Sequence, residues 1–236
     1  PQEMWLNEGW AVVSEHLFTE LLDGAEAYQD AVRANNLDVL HYAAARDGNN
    51  YFAISNVPET FTYGATTYNK GASVVHTLRG YMGDELFFSC VTSFLNAHKF
   101  QPINAAMLRD YLSDCSGINL NDFFTDWVYQ PGSLAFEIED IGNTKGLTSS
   151  ICIEQKKSNA NTFANNVPIV VSFFNKFTNE LVDTVHINMS GNQMMFDGLY
   201  VTEYYDYLYA VLDYENKLND AVTSDELYIK TAGTYN

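Results

Sequence analysis

Glu8 lies inside the apolar, helix-forming run Trp5-Leu6-Asn7-Glu8-Gly9-Trp10-Ala11, and an acid in that setting needs a chemical reason. The run continues through Val12, Val13 and Leu17 to Leu22 and stops at Asp23-Gly24. Glu8 and Glu15 therefore fall on one helical face, about 10 Å apart along the axis. An unpaired buried carboxylate costs several kcal/mol unless a cation or hydrogen-bond donors meet it. A metal ion is one such cation, which makes Glu8 a candidate metal ligand. Glu15 is a candidate for fixing a neighbouring ligand from behind. Taken alone, Glu8 also reads as an acid in a first helical turn, and Tyr68 as a packing residue with a satisfied hydroxyl.

Three segments occur in a fixed order: Trp5-Leu6-Asn7-Glu8-Gly9, Tyr68-Asn69-Lys70-Gly71-Ala72, and Trp127-Val128-Tyr129-Gln130-Pro131-Gly132. Together they resemble the aminopeptidase N family of zinc metallopeptidases, the gluzincins. The resemblance implies a zinc held by two histidines of an H-E-x-x-H helix and by a glutamate about eighteen residues later. Glu8 matches that glutamate. Tyr68 matches a tyrosine whose hydroxyl stabilises the tetrahedral oxyanion, and Tyr63 falls where some members carry a second active-site tyrosine.

The chain departs from the family pattern at the remaining catalytic groups. No H-E-x-x-H occurs in its 236 residues, and His16, His41, His76, His98 and His186 are isolated from one another. The G-x-M-E-N segment that holds the substrate's amino group is absent as well. Both segments lie upstream of the glutamate in the family, and Pro1 is an unusual translation start. We therefore expect the downstream part of a longer zinc aminopeptidase. Its parent would bind zinc and a peptide substrate, and the upstream part of the same catalytic domain would be this chain's partner. By itself the chain is expected to bind no zinc and to be inactive. The alternative is a non-enzymatic interaction or carbohydrate-binding module on a degenerate peptidase domain, with Tyr200, Tyr204, Tyr205, Tyr207 and Tyr209 as a sugar platform. A pseudoenzyme with a decayed upstream motif is a third reading.

Composition narrows the classes further. With 47% apolar residues, 15 Phe, 16 Tyr and 3 Trp, the chain is built to bury a core. The formal net charge of -18 opposes nucleic acid and anionic membrane surfaces. No apolar stretch reaches the roughly 20 residues that span a bilayer. Cys90, Cys115 and Cys152 are odd in number and widely spaced, and read as buried free thiols.

The elements that must position these groups change character near residue 133. Before it the pattern is helical: the Glu8 helix, a segment from Ala25 to Ala45 with a break at Asn35-Asn36, and a turn at Arg46–Asn50. An irregular stretch then delivers Tyr63 and Tyr68. Helices follow from Lys70 to Met82, from an Asp84 cap to about His98, and from an Asn104 cap to Gly117. A last one is capped by Asn119 or Asn121. After residue 133 the period becomes two, with strands expected at 134–139, 150–155, 167–174, 181–189, 193–196, 199–204, 207–212 and 227–230. The expected fold class is α+β. Residues 1–132 form the helical C-terminal part of a gluzincin catalytic domain, and residues 133–236 a β-sandwich domain.

Overall fold

In the first helix the buried residues repeat every four positions, and the fold builds outward from that stripe. The structure, a computed structural model, describes residues 3–143, 148–200, 208–218 and 230–231. Helix α1 (Trp5–Asp23) buries Trp5, Gly9 and Val13 and ends at Gly24, whose φ of 94° suits glycine. Helix α2 (Ala25–Asp38) buries Tyr28 and Val32, then runs through a π turn (Val39–Ala43) into α3 (Ala44–Arg46).

The break expected at Asn35-Asn36 does not occur, because both side-chain amides are buried and find partners across the fold. Asn35 Nδ2 donates to the Asn69 carbonyl and to Ser73 Oγ, each at 2.9 Å, and Ser73 Oγ donates to Asn36 Oδ1 at 2.6 Å. Satisfied in this way, residues that disfavour helix interiors are retained inside one.

A second π turn (Thr66–Lys70) leads directly into α4 (Gly71–Met82), which is buried continuously from Gly71 to Leu78. A helix enclosed on all sides is the centre of its unit. Arg79 on α4 pairs with Glu20 of α1 (2.8 Å) and Asp84 (2.7 Å), and its guanidinium lies over the rings of Tyr28 and Phe88. One cation thus ties α1, α2 and α4 to α5 (Asp84–Ala97). Gly83, at φ 71°, takes the cap position expected for Asp84. Asp84 becomes the first helical residue, where its carboxylate meets Arg79.

Helix α6 (Ala105–Ser116) is capped as expected, Asn104 Oδ1 accepting the Met107 N–H at 2.9 Å. Helix α7 (Asn121–Phe123) passes into a third π turn (Phe124–Val128), with Asn119 Oδ1 accepting the Asn121 N–H at 3.0 Å.

Two of the three cysteines are not thiols. Cys90 on α5 and Cys115 on α6 form a disulfide with Cα atoms 5.8 Å apart, while Cys152 remains a buried thiol. Their separation of 25 residues concealed the pairing, because it is the antiparallel packing of α5 on α6 that closes the distance. Reduction is expected to lower the unfolding free energy by about 3 kcal/mol. Urea unfolding with and without reductant, with Cys90→Ser/Cys115→Ser as reference, measures it.

Contacts divide the chain into two units, one comprising Pro1–Ser133 with Asn159–Thr162 and Lys217–Asn219, the other the remaining residues. The second unit holds two antiparallel sheets. One has the order β1-β2-β5 (Ser133–Asn143, Thr148–Ser158, Gln193–Tyr200). The other has the order β4-β3-β6-β7 (Leu181–Met189, Val167–Asn175, Leu208–Leu212, Lys230–Thr231).

Strand β3 pairs Ile169 with Ile187 and Val171 with Val185 on one side, and Phe173 with Ala210 on the other. It is buried along most of its length, as a central strand should be. The two strands expected at 193–196 and 199–204 begin as one, β5. Residues 201–207 and 227–229, including Tyr204, Tyr205 and Tyr207, lie outside the described residues. The helical and antiparallel-strand content makes the fold class α+β.

Candidate active site

Glu8 closes the first turn of α1, one residue before buried Gly9. It is half-buried rather than enclosed, and Asn7 Nδ2 donates to its Oε1 at 3.2 Å. The expectation of a fully buried acid is therefore corrected: within this chain, water reaches the carboxylate. Glu15 is exposed, and its charge acts on the adjacent His16, whose ring burial holds it below the ordinary histidine value. Tyr63 is 70% exposed.

Tyr68 sits in the middle of the π turn, a rare helical form that recurs at functional sites. Its phenol is held above the ordinary value by partial desolvation, by hydrogen bonding to Glu8 and by the neighbouring Glu8 charge, with Tyr63 close enough to add to the effect. A carboxylate that accepts from a phenol favours the neutral form, so Tyr68 is kept protonated as a donor. The structure brings Glu8, Tyr68 and Tyr63 into one neighbourhood, and Glu15 is not joined to them.

Four attachments fix the turn that carries Tyr68, and the sequence exposed them only in part. At its start, Asp47 Oδ1 accepts the Ala65 N–H at 3.0 Å and Oδ2 the Thr66 N–H at 2.8 Å. In its middle, Asn69 Nδ2 donates to Asn35 Oδ1 at 3.0 Å. Next to that, buried Lys70 donates from Nζ to the Phe52 carbonyl at 3.0 Å.

The fourth attachment is a backbone crossing. A Cβ at Gly9 would lie 2.9 Å from the Gly71 carbonyl carbon, and one at Gly71 would lie 3.2 Å from the Gly9 Cα. The glycine of N-E-G and the glycine of Y-x-K-G are therefore each other's contact. Only residues without side chains let the two helices cross so closely, and the crossing sets Glu8 against Tyr68. Asp47 and the Gly9–Gly71 contact leave no signal in the sequence, since Arg46–Asn50 carries only turn chemistry and helical glycines carry no pattern of their own.

Burial pushes the Lys70 ammonium down to about 8. The folded chain releases this proton near pH 8, whereas the unfolded chain keeps it to about 10.5, so unfolding takes up a proton between those values. Stability attributable to Lys70 should therefore rise with pH across that window. The rise should be on the order of a few kcal/mol, each pH unit between the two values being worth about 1.4 kcal/mol. The difference in unfolding free energy between the parent chain and Lys70→Met, compared at pH 7 and pH 10, measures it.

Glu8 fits zinc as a single donor: its carboxylate is half-open to solvent, so lone pairs are within reach of a cation. One carboxylate is one ligand of a tetrahedral set, and the others must come from elsewhere. Among the described residues the one converging set of three metal-type ligands is Glu137, Glu139 and Glu154 on β1 and β2, where Lys156 is ion-paired to Glu137.

Residues 2–127 match the peptidase family M1 domain. A protein named probable aminopeptidase 1, from Saccharolobus solfataricus, is 25% identical over 267 residues, covering 99% of this chain and 32% of its own length. Aminopeptidase M1-C of Oryza sativa is 28% identical over 55% of this chain and 15% of its own. Aminopeptidase N of Lactococcus lactis is 26% identical over 60% of this chain and 17% of its own. The chain thus spans a third or less of these relatives.

A crystal structure of Legionella pneumophila aminopeptidase A in complex with aspartic acid shares the fold, with a TM-score of 0.62 at 15% identity. It covers 92% of this chain and 24% of that one. With residues 2–127, more than half its length, inside the family domain, this chain belongs to peptidase family M1.

Proposed function

We propose that this chain is the downstream portion of a zinc-dependent aminopeptidase that removes N-terminal residues from peptides. Residues 1–132 are read as the helical part of its catalytic domain and residues 133–236 as a β-sandwich module. The observation that carries the reading is the pairing of Glu8 with a protonated Tyr68 across the Gly9–Gly71 crossing. Glu8 would hold the zinc as its third protein ligand, the two histidines and the general base being supplied by an upstream H-E-x-x-H segment. When bound, zinc supplies Lewis acidity and a water activated near neutral pH.

Within this chain, Glu8 presents its carboxylate oxygens to the site. Tyr68 keeps its proton and donates a hydrogen bond to the substrate oxygen on which negative charge develops. Tyr63, exposed beside it, is positioned to contact substrate, and Glu15 supports the α1 face without reaching the reacting groups. The carbohydrate-binding reading gains nothing from Tyr209, which stacks on Phe174 with ring centroids 5.4 Å apart and so serves the sheet.

This chain alone carries neither the two histidines nor the base and is expected to be silent toward aminoacyl-arylamides. Hydrolysis by the purified chain that a chelator and Glu8→Ala both abolish would overturn that expectation.

A further inference from the structure

We infer that Asp47 is a positioning residue for Tyr68: its carboxylate, brought from a distant turn, caps the helix on which Tyr68 rides and takes the space that a side chain at position 64 would occupy. The helical stretch from Ala65 to Met82 opens with N–H groups that have no partner within it. Thr67 and Tyr68 direct theirs to the Gly64 carbonyl at 3.1 and 3.3 Å. The N–H groups of Ala65 and Thr66 go to the two oxygens of Asp47, which is fully buried.

A capping side chain ordinarily comes from the residue that precedes its helix. Here that residue is Gly64, and a Cβ built on it would collide with Asp47 Oδ1 and approach the Phe61 carbonyl oxygen at 2.9 Å. Gly64 has no positive φ, so its glycine is required for space and not for backbone conformation. The cap has in effect been transferred 17 residues along the chain, which ties the end of the α2–α3 helix to the start of the Tyr68 turn. A carboxylate at a helix N-terminus also opposes the positive end of the helix dipole.

The functional side of this assignment rests on the reading of Tyr68 as the oxyanion donor. The test therefore separates the two. In the full chain labelled with 13C-tyrosine and 15N, the Tyr68 ring resonance is assigned by its disappearance in Tyr68→Phe. Asp47→Ala should shift that resonance and speed exchange of the Thr67 and Tyr68 amides by at least tenfold, whereas Asp47→Asn, which keeps one acceptor, should lie between. Gly64→Ala, which displaces the carboxylate without removing it, should shift the resonance in the same direction. The Gly64→Ala/Asp47→Ala pair should add little to either single change, since both act through one contact.

If Asp47→Ala does not fold, Asp47→Asn against Gly64→Ala reads the same quantity. A folded Asp47 variant that unfolds more easily yet leaves the Tyr68 resonance and amide exchange unchanged would overturn the assignment, reducing Asp47 to a structural residue. In a zinc-loaded protein carrying this chain with an upstream H-E-x-x-H segment, Asp47→Ala should lower kcat by roughly 10- to 100-fold with little change in KM. If the resonance moves as expected while Tyr68→Phe leaves kcat intact, the positioning by Asp47 stands and the oxyanion reading of Tyr68 falls.

Discussion

Replacing Tyr68 with phenylalanine in the zinc-loaded peptidase is expected to lower kcat by about 10^2- to 10^3-fold while KM changes only a few-fold. Loss of one donor to a developing oxyanion has this size in other enzymes. In the role proposed for Tyr68 the effect falls on kcat, because such a hydrogen bond strengthens only as charge builds on the substrate oxygen. The structure explains why little else should change. Tyr68 is half-exposed, and its turn is held by Asp47, Asn35, the Phe52 carbonyl and Gly9, none of which touches the phenol oxygen. Tyr68→Phe should therefore retain the stability of the parent protein. Steady-state kinetics on an aminoacyl-arylamide, with thermal unfolding as the control, measure both. A variant of unchanged kcat would remove Tyr68 from the chemistry.

The parts of this architecture that were legible in the sequence are those written as local pattern. The helix-forming run from Trp5 to Leu22 that stops at Asp23-Gly24, the Asn104 cap and the alternation along β3 are period and capping signals, and the structure follows them. The limits of strand β4, 181–189, fall where alternation placed them.

What the sequence concealed depends on residues far apart in the chain. Asn35 and Asn36 have the composition of a helix break, yet Asn69 and Ser73 satisfy them from more than 30 residues away. Cys90 and Cys115 carry no disulfide spacing, and only the α5–α6 packing joins them. Glu8, read as a buried acid, is half-open in this chain. Asp47 sits in a segment that reads as a turn, and its role is visible only when its two oxygens are seen on the amides of Ala65 and Thr66. The motif residues could be picked out from the sequence, whereas the residues that hold the Tyr68 turn in place could not.

The same division applies to Gly9 and Gly71. Each belongs to a recognisable segment, but the reason for a glycine in both is the single contact they share. A methyl group at either position would press into backbone, and the helices bearing Glu8 and Tyr68 would have to part. In physical terms the two motifs are one unit: an acid and a phenol mounted on crossing helices, at a separation set by the absence of two side chains.

The role proposed for Glu8 as a zinc ligand is tested most directly by metal content. The protein carrying this chain with its upstream segment should be purified as the parent form and as Glu8→Ala, dialysed against buffered zinc, and measured for bound metal alongside hydrolysis of an aminoacyl-arylamide. Loss of partners that merely orient a ligand costs about 10- to 100-fold in affinity or activity, so loss of the ligand itself should exceed that. We predict one zinc per chain in the parent form. Glu8→Ala should retain little or no zinc at the same free concentration and should lose activity by more than a hundredfold. Full zinc occupancy and near-normal turnover in Glu8→Ala would contradict that role.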